Sequence, residues 1–157
     1  MLPKDTPRVW VIVPLSRPQQ LKFVYWQYER LSYLNKSLLI VESKEGKGAC
    51  LEQGLVPSCL LQNDGTAGEC KNLALDYLQD LNESGYWVSM DDDDFYGFDY
   101  IEKHLALRCR TQLPLNIGNY EFVVMNDCMV RFKPSPRTVL GASIGGDLPC
   151  FERFSKS

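Results

Sequence analysis

Three short runs of almost uninterrupted apolar residues constrain the fold of this chain more than any other feature. They occupy residues 8–14 ("RVWVIVP"), 37–43 ("SLLIVES") and 86–90 ("YWVSM"), and each has the length of a β-strand. Strands buried on both faces have this continuous pattern, whereas half-exposed strands alternate apolar and polar residues. The runs therefore predict a sheet that other elements cover on both sides.

Segments with the helical spacing of apolar residues separate these runs. They span residues 19–34, 67–82 and about 99–110, and a short fourth strand is expected at residues 59–62. Pro18 suits the first turn of the first helix, and Gly85 is expected to stop the second helix. This alternation of strand and helix predicts an α/β fold with a doubly wound, mostly parallel sheet.

The last third of the chain has a different character. Residues 120–134 contain two β-rich runs around Asn126 and Asp127, which predicts a β-hairpin. The glycines of "GASIGG" lack the Lys-Ser or Lys-Thr of a phosphate loop and indicate close packing or a mobile loop. With no repeat or linker, the 157 residues are expected to form one domain over 1–157.

Composition and charge exclude several classes of function. The net charge is −3 with no basic block, so a nucleic-acid partner is not expected. The apolar run near the N-terminus is too short for a membrane span or a signal peptide. Six scattered cysteines without a CxxC pair predict reduced thiols, no zinc site and a cytoplasmic location. His104 is the only histidine and is left out of the expected site.

Polar residues follow the apolar strands at the points where the strands end. In an open parallel sheet, ligands bind beyond the carboxyl ends of the strands. The residues expected at this edge are Ser16, Arg17, Glu42, Ser43, Lys71, Asn72 and the four aspartates 91–94. The sequence therefore predicts one polar site along one edge of the sheet.

The four consecutive aspartates need something that makes their mutual repulsion tolerable. Two like charges about 6 Å apart repel by roughly 3 kcal/mol at an effective dielectric near 20. Mg²⁺ or Mn²⁺ would offset this repulsion, since oxygen ligands select these ions and one or two carboxylates plus substrate phosphates suffice. The alternative is a solvated acidic turn that caps the next helix, which Asp99 alone could do.

The other polar residues also allow two interpretations each. Glu42 could accept hydrogen bonds from a ribose or a base, or it could be a solvated loop acid. Arg17 and Lys71 could neutralise phosphate charge, or they could be ordinary surface side chains. Their expected position at a shared edge favours the functional interpretation.

Four segments in this order carry a resemblance to a known family. They are "VWVIVPLSRP", "LLIVES", "GTAGECKNLAL" and "YWVSMDDDDFYGFDYIEKHL". Together they resemble the nucleotide-sugar-binding half of GT-A-type glycosyltransferases, especially family 2, over about residues 8–107. The resemblance implies a GT-A fold, with about residues 108–157 as a reduced acceptor part.

The resemblance also implies roles for individual residues. It implies that a divalent cation, Mn²⁺ or Mg²⁺, bridges the diphosphate of a sugar nucleotide at Asp91 and Asp93, the two acids of an Asp-x-Asp motif. The residues that match donor-binding positions of the family are Pro14, Ser16, Arg17, Glu42, Lys71, Asn72 and Asp92. A general base for the acceptor hydroxyl usually lies well downstream in the family, and Asp147 is the residue of this chain that we expect to serve as that base.

The expected function is therefore a metal-dependent glycosyltransferase of the hexosyltransferase type. The expected donor is a nucleotide-diphosphate sugar, foremost a UDP-sugar, and the acceptor is a hydroxyl of a glycan, lipid or protein. Three alternatives stay open: a non-catalytic nucleotide-sugar-binding module, a nucleotidyltransferase on a similar fold, and a structural domain with an acidic turn. A nucleotidyltransferase would normally have a glycine-rich loop after its first strand, and "PLSRPQQ" contains no glycine.

Overall fold

A computed structural model of the protein describes residues 6–112, 115–117, 122–125, 128–131 and 144–148. Its strands are β1 (Val9–Leu15), β2 (Lys36–Glu42), β3 (Cys59–Gln62), β4 (Gly85–Ser89), β5 (Leu115–Ile117), β6 (Phe122–Met125), β7 (Cys128–Arg131) and β8 (Ile144–Leu148). Its helices are α1 (Leu21–Arg30), α2 (Ala49–Glu52), α3 (Ala67–Asp80) and α4 (Tyr100–Thr111). A 3₁₀ turn at Pro18–Gln20 leads into α1.

The order of strands in the main sheet is β3-β2-β1-β4-β8-β5. Strands β3, β2, β1 and β4 pair in parallel, and β8 is antiparallel to both of its neighbours, β4 and β5. The chain winds outward from β1 through β2 to β3 and then returns to place β4 on the other side of β1. The predicted doubly wound, mostly parallel α/β sheet is confirmed.

Burial on both faces explains the continuous apolar strands. All seven residues of β1 are buried, and so are six of the seven in β2. One face packs against α1, α2 and α4 around Val11, Val24 and Ile101, and the other face packs against α3 around Ile12 and Leu75. Burying side chains of this size contributes about 1.5–3 kcal/mol each. The two apolar layers therefore hold the strands, and with them their carboxyl ends, in place between the helices.

The predicted helix boundaries need two corrections. Helix α1 ends at Arg30, before residue 34, because Leu31 is extended and the Ser32 amide bonds to the Phe98 carbonyl instead. Helix α3 is followed by Asn82 in the left-handed conformation (φ 55°), so Gly85 does not stop it. Gly85 instead begins β4, at a φ of 126° that favours glycine.

The last third contains the predicted hairpin. Strands β6 and β7 are antiparallel, with Met125 opposite Cys128, so residues 126–127 connect them. Within "GASIGG", Gly145 lies in β8, where an added Cβ would approach the Trp87 carbonyl oxygen to 2.7 Å and His104 Nδ1 to 3.0 Å. Close packing is therefore the correct interpretation of this glycine, and residues 141–143 lie outside the described part.

His104 is a buried side chain of α4. His104 is 3% exposed and packs edge-on against the Tyr100 ring. Burial lowers the pKa of His104 to about 4, so the imidazole is neutral at pH 7. Cys50, Cys59, Cys70 and Cys109 are free thiols. Among the described residues, no helix is both long and apolar enough to cross a bilayer.

Candidate functional site

The candidate site lies where β1 and β4 end side by side. Strands β2 and β4 lie on opposite sides of β1 in the sheet. The connections that follow β1 and β4 therefore lead away from each other beyond the carboxyl ends of these strands. Ligands of doubly wound folds bind at such a switch point. Ser16 and Arg17 follow β1 here, and the aspartates 91–94 follow β4.

Asp92 ties these two segments together. Its Oδ2 accepts hydrogen bonds from the amides of Ser16 and Arg17 at 2.7 and 2.8 Å and from the Ser16 hydroxyl at 3.1 Å. Its Oδ1 accepts one from Arg17 Nη1 at 2.7 Å. The side chain is only 3% exposed. Because its oxygens are engaged with the protein, this geometry does not support the expected contact of Asp92 with ribose or the metal shell.

Basic side chains pair with the two acids of the Asp-x-Asp motif. Lys71 Nζ lies 2.8 Å from Asp91 Oδ1, with the lysine side chain only 5% exposed. Arg17 Nη1 lies 2.8 Å from Asp93 Oδ2, and the charge of Asp93 is the main cause that raises the pKa of Arg17. The repulsion among the aspartates is thus offset partly by two cations of the chain itself.

The fourth aspartate, Asp94, is still affected by the negative charges of its neighbours. Burial raises the pKa of Asp94 most, and the charges of Asp91 and Asp93 raise it further. The Asp94 carbonyl accepts a hydrogen bond from Gln27 of α1, and the Tyr96 amide donates to Gln27 Oε1. The aspartate loop is therefore held from α3 by Lys71 and from α1 by Gln27.

Glu42 lies at the expected edge but serves a different purpose. It is 1% exposed and accepts hydrogen bonds from the amides of Gly48 and Cys50 at 2.8 Å and from Gln62 Nε2 at 3.2 Å. Burial acts to raise the pKa of Glu42, but these hydrogen bonds outweigh it and lower the pKa. The carboxylate organises the loop after β2, so the geometry does not support its expected contact with a base or ribose.

An open cleft of about 590 Å³ lies beside the aspartate loop. Its lining includes Pro14, Ser16, Ser43, Glu45, Asp64 and Glu69. Ser16 lines the cleft and donates a hydrogen bond to Asp92, and Cys70, which also lines the cleft, precedes Lys71 in the sequence. The cleft therefore adjoins the aspartates, although none of the four aspartates lines it. The volume falls in the range of small-molecule sites.

Three of the cleft residues were expected at this edge and three acids were not. Pro14, Ser16 and Ser43 are the expected ones. Glu45 and Asp64 are exposed residues in the polar, glycine-containing segments after β2 and β3. This composition predicts loops, but it does not predict which acid of a loop lines a cleft. Glu69 is already engaged, because it forms the capping box of α3 with Thr66.

The residues fit a divalent cation only as an incomplete site. No group of three or more His, Cys, Asp or Glu side chains is arranged to hold a metal among the residues that the structure describes. Asp93 is about half exposed, and Asp91 is about one-third exposed. Mg²⁺ is usually held by one or two carboxylates with water and phosphate completing its shell, so Asp91 and Asp93 meet that requirement.

The backbone register does not bring Asp147 to this edge. Asp147 pairs with Tyr86 near the start of β4, whereas Asp91 follows the end of that strand. Five residues of extended chain span about 16 Å. This register does not support Asp147 as the general base of the site. Asn72 follows Lys71 on α3 and is half-buried, and its contact with a donor stays a prediction.

Comparisons with solved structures identify the fold. S. aureus TarS, residues 1–349, matches with a TM-score of 0.62 and 13% identity over 89% of this chain and 47% of that chain. The mannosyltransferase PcManGT from Pyrobaculum calidifontis, solved in complex with GDP-Man and Mn²⁺, matches with a TM-score of 0.57 and 16% identity over 74% and 36%. TarS in complex with UDP-GlcNAc matches with a TM-score of 0.55 and 15% identity over 82% and 37%.

These matches show a GT-A-like fold over most of the chain. The chain spans less than half the length of the solved structures it matches. No protein-family model matches the sequence, and no curated protein sequence does either.

Proposed function

We propose that this chain binds a nucleotide-diphosphate sugar together with Mn²⁺ or Mg²⁺ and is the donor-binding part of a glycosyltransferase. The observation that carries the proposal is the convergence of the Lys71–Asp91 and Arg17–Asp93 pairs beside an open cleft of about 590 Å³, at the switch point of a GT-A-like fold. Two of the matched structures were solved with nucleotide sugars, and one of these also with Mn²⁺.

The charges in the cleft orient the donor. Glu45 and Asp64 are acceptors, so they suit the N–H groups of a base and the hydroxyls of a ribose, and they repel phosphate. Arg17 and Lys71 lie on the aspartate side, where they attract the diphosphate. The N-terminus of α3 also lines the cleft at Thr66 and Ala67, and the Glu69 carboxylate of its capping box already lies at the positive end of this helix. The nucleoside therefore binds in the cleft, with the sugar above the aspartates.

Asp93 and Asp91 are the residues that would hold the cation. When bound, a divalent cation stabilises the negative charge on the departing diphosphate. In the transfer, an acceptor oxygen bonds to the anomeric carbon, the bond to the diphosphate oxygen breaks with its electron pair, and the hydroxyl proton leaves to a base. Arg17 keeps a positive charge at the side of the leaving group throughout.

A UDP-sugar is the first donor to test, and a GDP-sugar is the second. Uracil offers one ring N–H to a carboxylate, whereas guanine offers two adjacent N–H donors. The exposed acids Glu45 and Asp64 can accept from either base. A cytoplasmic location and a single domain over 1–157 stay predictions.

A non-catalytic donor-binding module is the second candidate. The position of Asp147 near the start of β4 favours it, because no carboxylate from the last third of the chain is placed at the site among the described residues. Such a module would bind donor and cation like an enzyme, but it would release neither sugar nor nucleoside diphosphate.

Melting temperature in the presence of Mn²⁺ and a sugar nucleotide tests the proposal. A ligand at a hundredfold over its dissociation constant adds about 2.7 kcal/mol of stability. We expect UDP-Glc, UDP-GlcNAc or GDP-Man to raise the melting temperature with Mn²⁺ and not with EDTA. Asp93→Ala should remove that increase, and Asp80→Ala, an exposed acid at the end of α3, should keep it.

Release of nucleoside diphosphate then separates the two candidates. An enzyme should release it when acceptor or water is present, and a binding module should not. If none of the three donors stabilises the protein with Mn²⁺, the proposal is refuted.

A further inference from the structure

Three aromatic side chains form a continuous row on the α1 side of the aspartate loop. Phe23 and Trp26 stack with ring centroids 5.8 Å apart, and Trp26 lies 6.2 Å from Phe95. Trp26 is 49% exposed and Phe95 is 53% exposed. We call these three side chains the aromatic row. Exposed aromatic groups of this kind mark interaction sites more often than isolated apolar residues do.

Arg30 packs against two rings of the row. The guanidinium of Arg30 lies 4.8 Å from the centroid of the Trp26 ring and 4.5 Å from that of Phe95, and its Nη2 donates to the Tyr96 carbonyl at 2.6 Å. Phe23, Trp26 and Arg30 recur at the spacing of one helix face. Cation–π contacts fix rings that would otherwise be free to rotate in solvent. A surface ordered in this way loses little entropy when a ligand binds.

The aspartate loop separates the aromatic row from the nucleotide cleft. Lys71 holds Asp91 from α3, whose first turn lines the cleft, and Gln27 of α1 holds the Asp94 carbonyl. Phe95 directly follows Asp94, so the row begins one residue beyond the acids. Two substrates bound in the cleft and on the row would therefore meet at the aspartates.

We propose that the aromatic row binds the acceptor and that the acceptor is a carbohydrate. This inference rests on the proposed function and names the acceptor class of the same site. A pyranose ring presents a face of weakly positive C–H groups, which complements the negative face of an aromatic ring. Its hydroxyls at the ring edge remain free to reach the aspartate loop. Three neighbouring rings provide successive positions for the sugars of an oligosaccharide.

A single exposed tryptophan makes the row directly observable. The chain has three tryptophans, and Trp10 and Trp87 are 4% and 1% exposed. Quenching of the fluorescence by iodide therefore reports Trp26. The probes are cellohexaose, maltohexaose and chitohexaose at millimolar concentration, with Mn²⁺ and the donor that gives the largest melting shift.

We expect at least one of these oligosaccharides to shield Trp26 from iodide in a saturable manner. Phe95→Ala should weaken that shielding about tenfold or more, as removal of an anchoring ring does. Phe98→Ala is the matched control, because Phe98 is 59% exposed and lies three residues beyond the row. Both variants keep Trp26 as the reporter, and both should keep the melting shift with donor and Mn²⁺.

The outcomes that overturn the inference are distinct from failure of the proposed function. If donor binding holds and none of the three oligosaccharides shields Trp26, the row is not a carbohydrate site. An equal loss in Phe95→Ala and Phe98→Ala would also overturn it. Shielding that depends on protein concentration alone would show that a second copy covers the row. Absence of the donor-induced melting shift would refute the proposed function and, with it, the acceptor role.

Discussion

Asp92 and Asp93 are adjacent residues of the same type, but the structure predicts that their substitution changes the stability of the fold to very different extents. Asp92 is 3% exposed and accepts four hydrogen bonds from Ser16 and Arg17, whereas Asp93 is 47% exposed and forms an ion pair with Arg17. We expect Asp92→Ala to destabilise the fold and Asp93→Ala to leave it nearly unchanged.

The size of the effect follows from the contacts. Hydrogen bonds to a charged group contribute about 1.5–3 kcal/mol each when buried, but Ser16 and Arg17 are exposed, and water can replace part of what they lose. We therefore expect Asp92→Ala to cost about 2–3 kcal/mol of unfolding free energy. Asp92→Asn keeps one acceptor oxygen for the two amides and should cost about 1 kcal/mol. Asp93→Ala breaks an exposed ion pair and should stay within about 0.5 kcal/mol.

Urea unfolding followed by circular dichroism measures this series. The corresponding shifts in melting temperature are about 2–4 °C for each kcal/mol in a chain of this size. The predicted order of cost is Asp92→Ala, then Asp92→Asn, then Asp93→Ala. Equal stability of Asp92→Ala and Asp93→Ala would refute the assignment of Asp92 as the tether between the segments after β1 and β4.

Three further predictions address the core and the loop after β2. Burial lowers the pKa of His104 from 6.5 to about 4, so the stability gained from its neutral form is complete above pH 6.5 and falls by about 3 kcal/mol as the pH drops toward 4. His104→Leu should therefore flatten the dependence of the unfolding free energy on pH over that interval. An unchanged slope would contradict the burial of a neutral imidazole. Glu42→Ala should cost about 2–3 kcal/mol and weaken nucleotide binding, because the amides of Gly48 and Cys50 and the Gln62 side chain lose their acceptor. Exposed Glu52→Ala is the control and should change neither quantity. Gly46→Ala should cost about 1–3 kcal/mol, since a Cβ there overlaps the backbone carbonyl of Leu15; Gly97→Ala, which meets only the movable Asp99 side chain, should be tolerated in the same melting assay.

The fold was largely predictable because burial on both faces leaves a local signature. The runs that became β1, β2 and β4 are continuous in apolar residues, and their parallel pairing follows from the helices between them. The insertion of β8 between β4 and β5 was not predicted. It is a pairing between distant segments, and the two glycines of "IGG" show only that a neighbour approaches closely, not which one.

The location of the site was predictable, but the partners of its side chains were not. The sequence places Glu42, Asp91, Asp92 and Asp93 at strand ends, and the structure gathers them at one edge. Whether a carboxylate faces a ligand or the protein depends on neighbouring loops. Glu42 is engaged by amides six and eight residues later, and Asp92 by amides more than seventy residues earlier. Such contacts have no periodicity from which a sequence pattern could be recognised.

A crystal structure with Mn²⁺ and UDP-GlcNAc or GDP-Man tests the central claim most directly. We expect an anomalous manganese signal beside the carboxylate of Asp93, with the diphosphate between the metal and Arg17 and the base in the cleft near Glu45 and Asp64. A nucleotide sugar bound away from the cleft, or bound in it with manganese absent from Asp93, would contradict the proposed site.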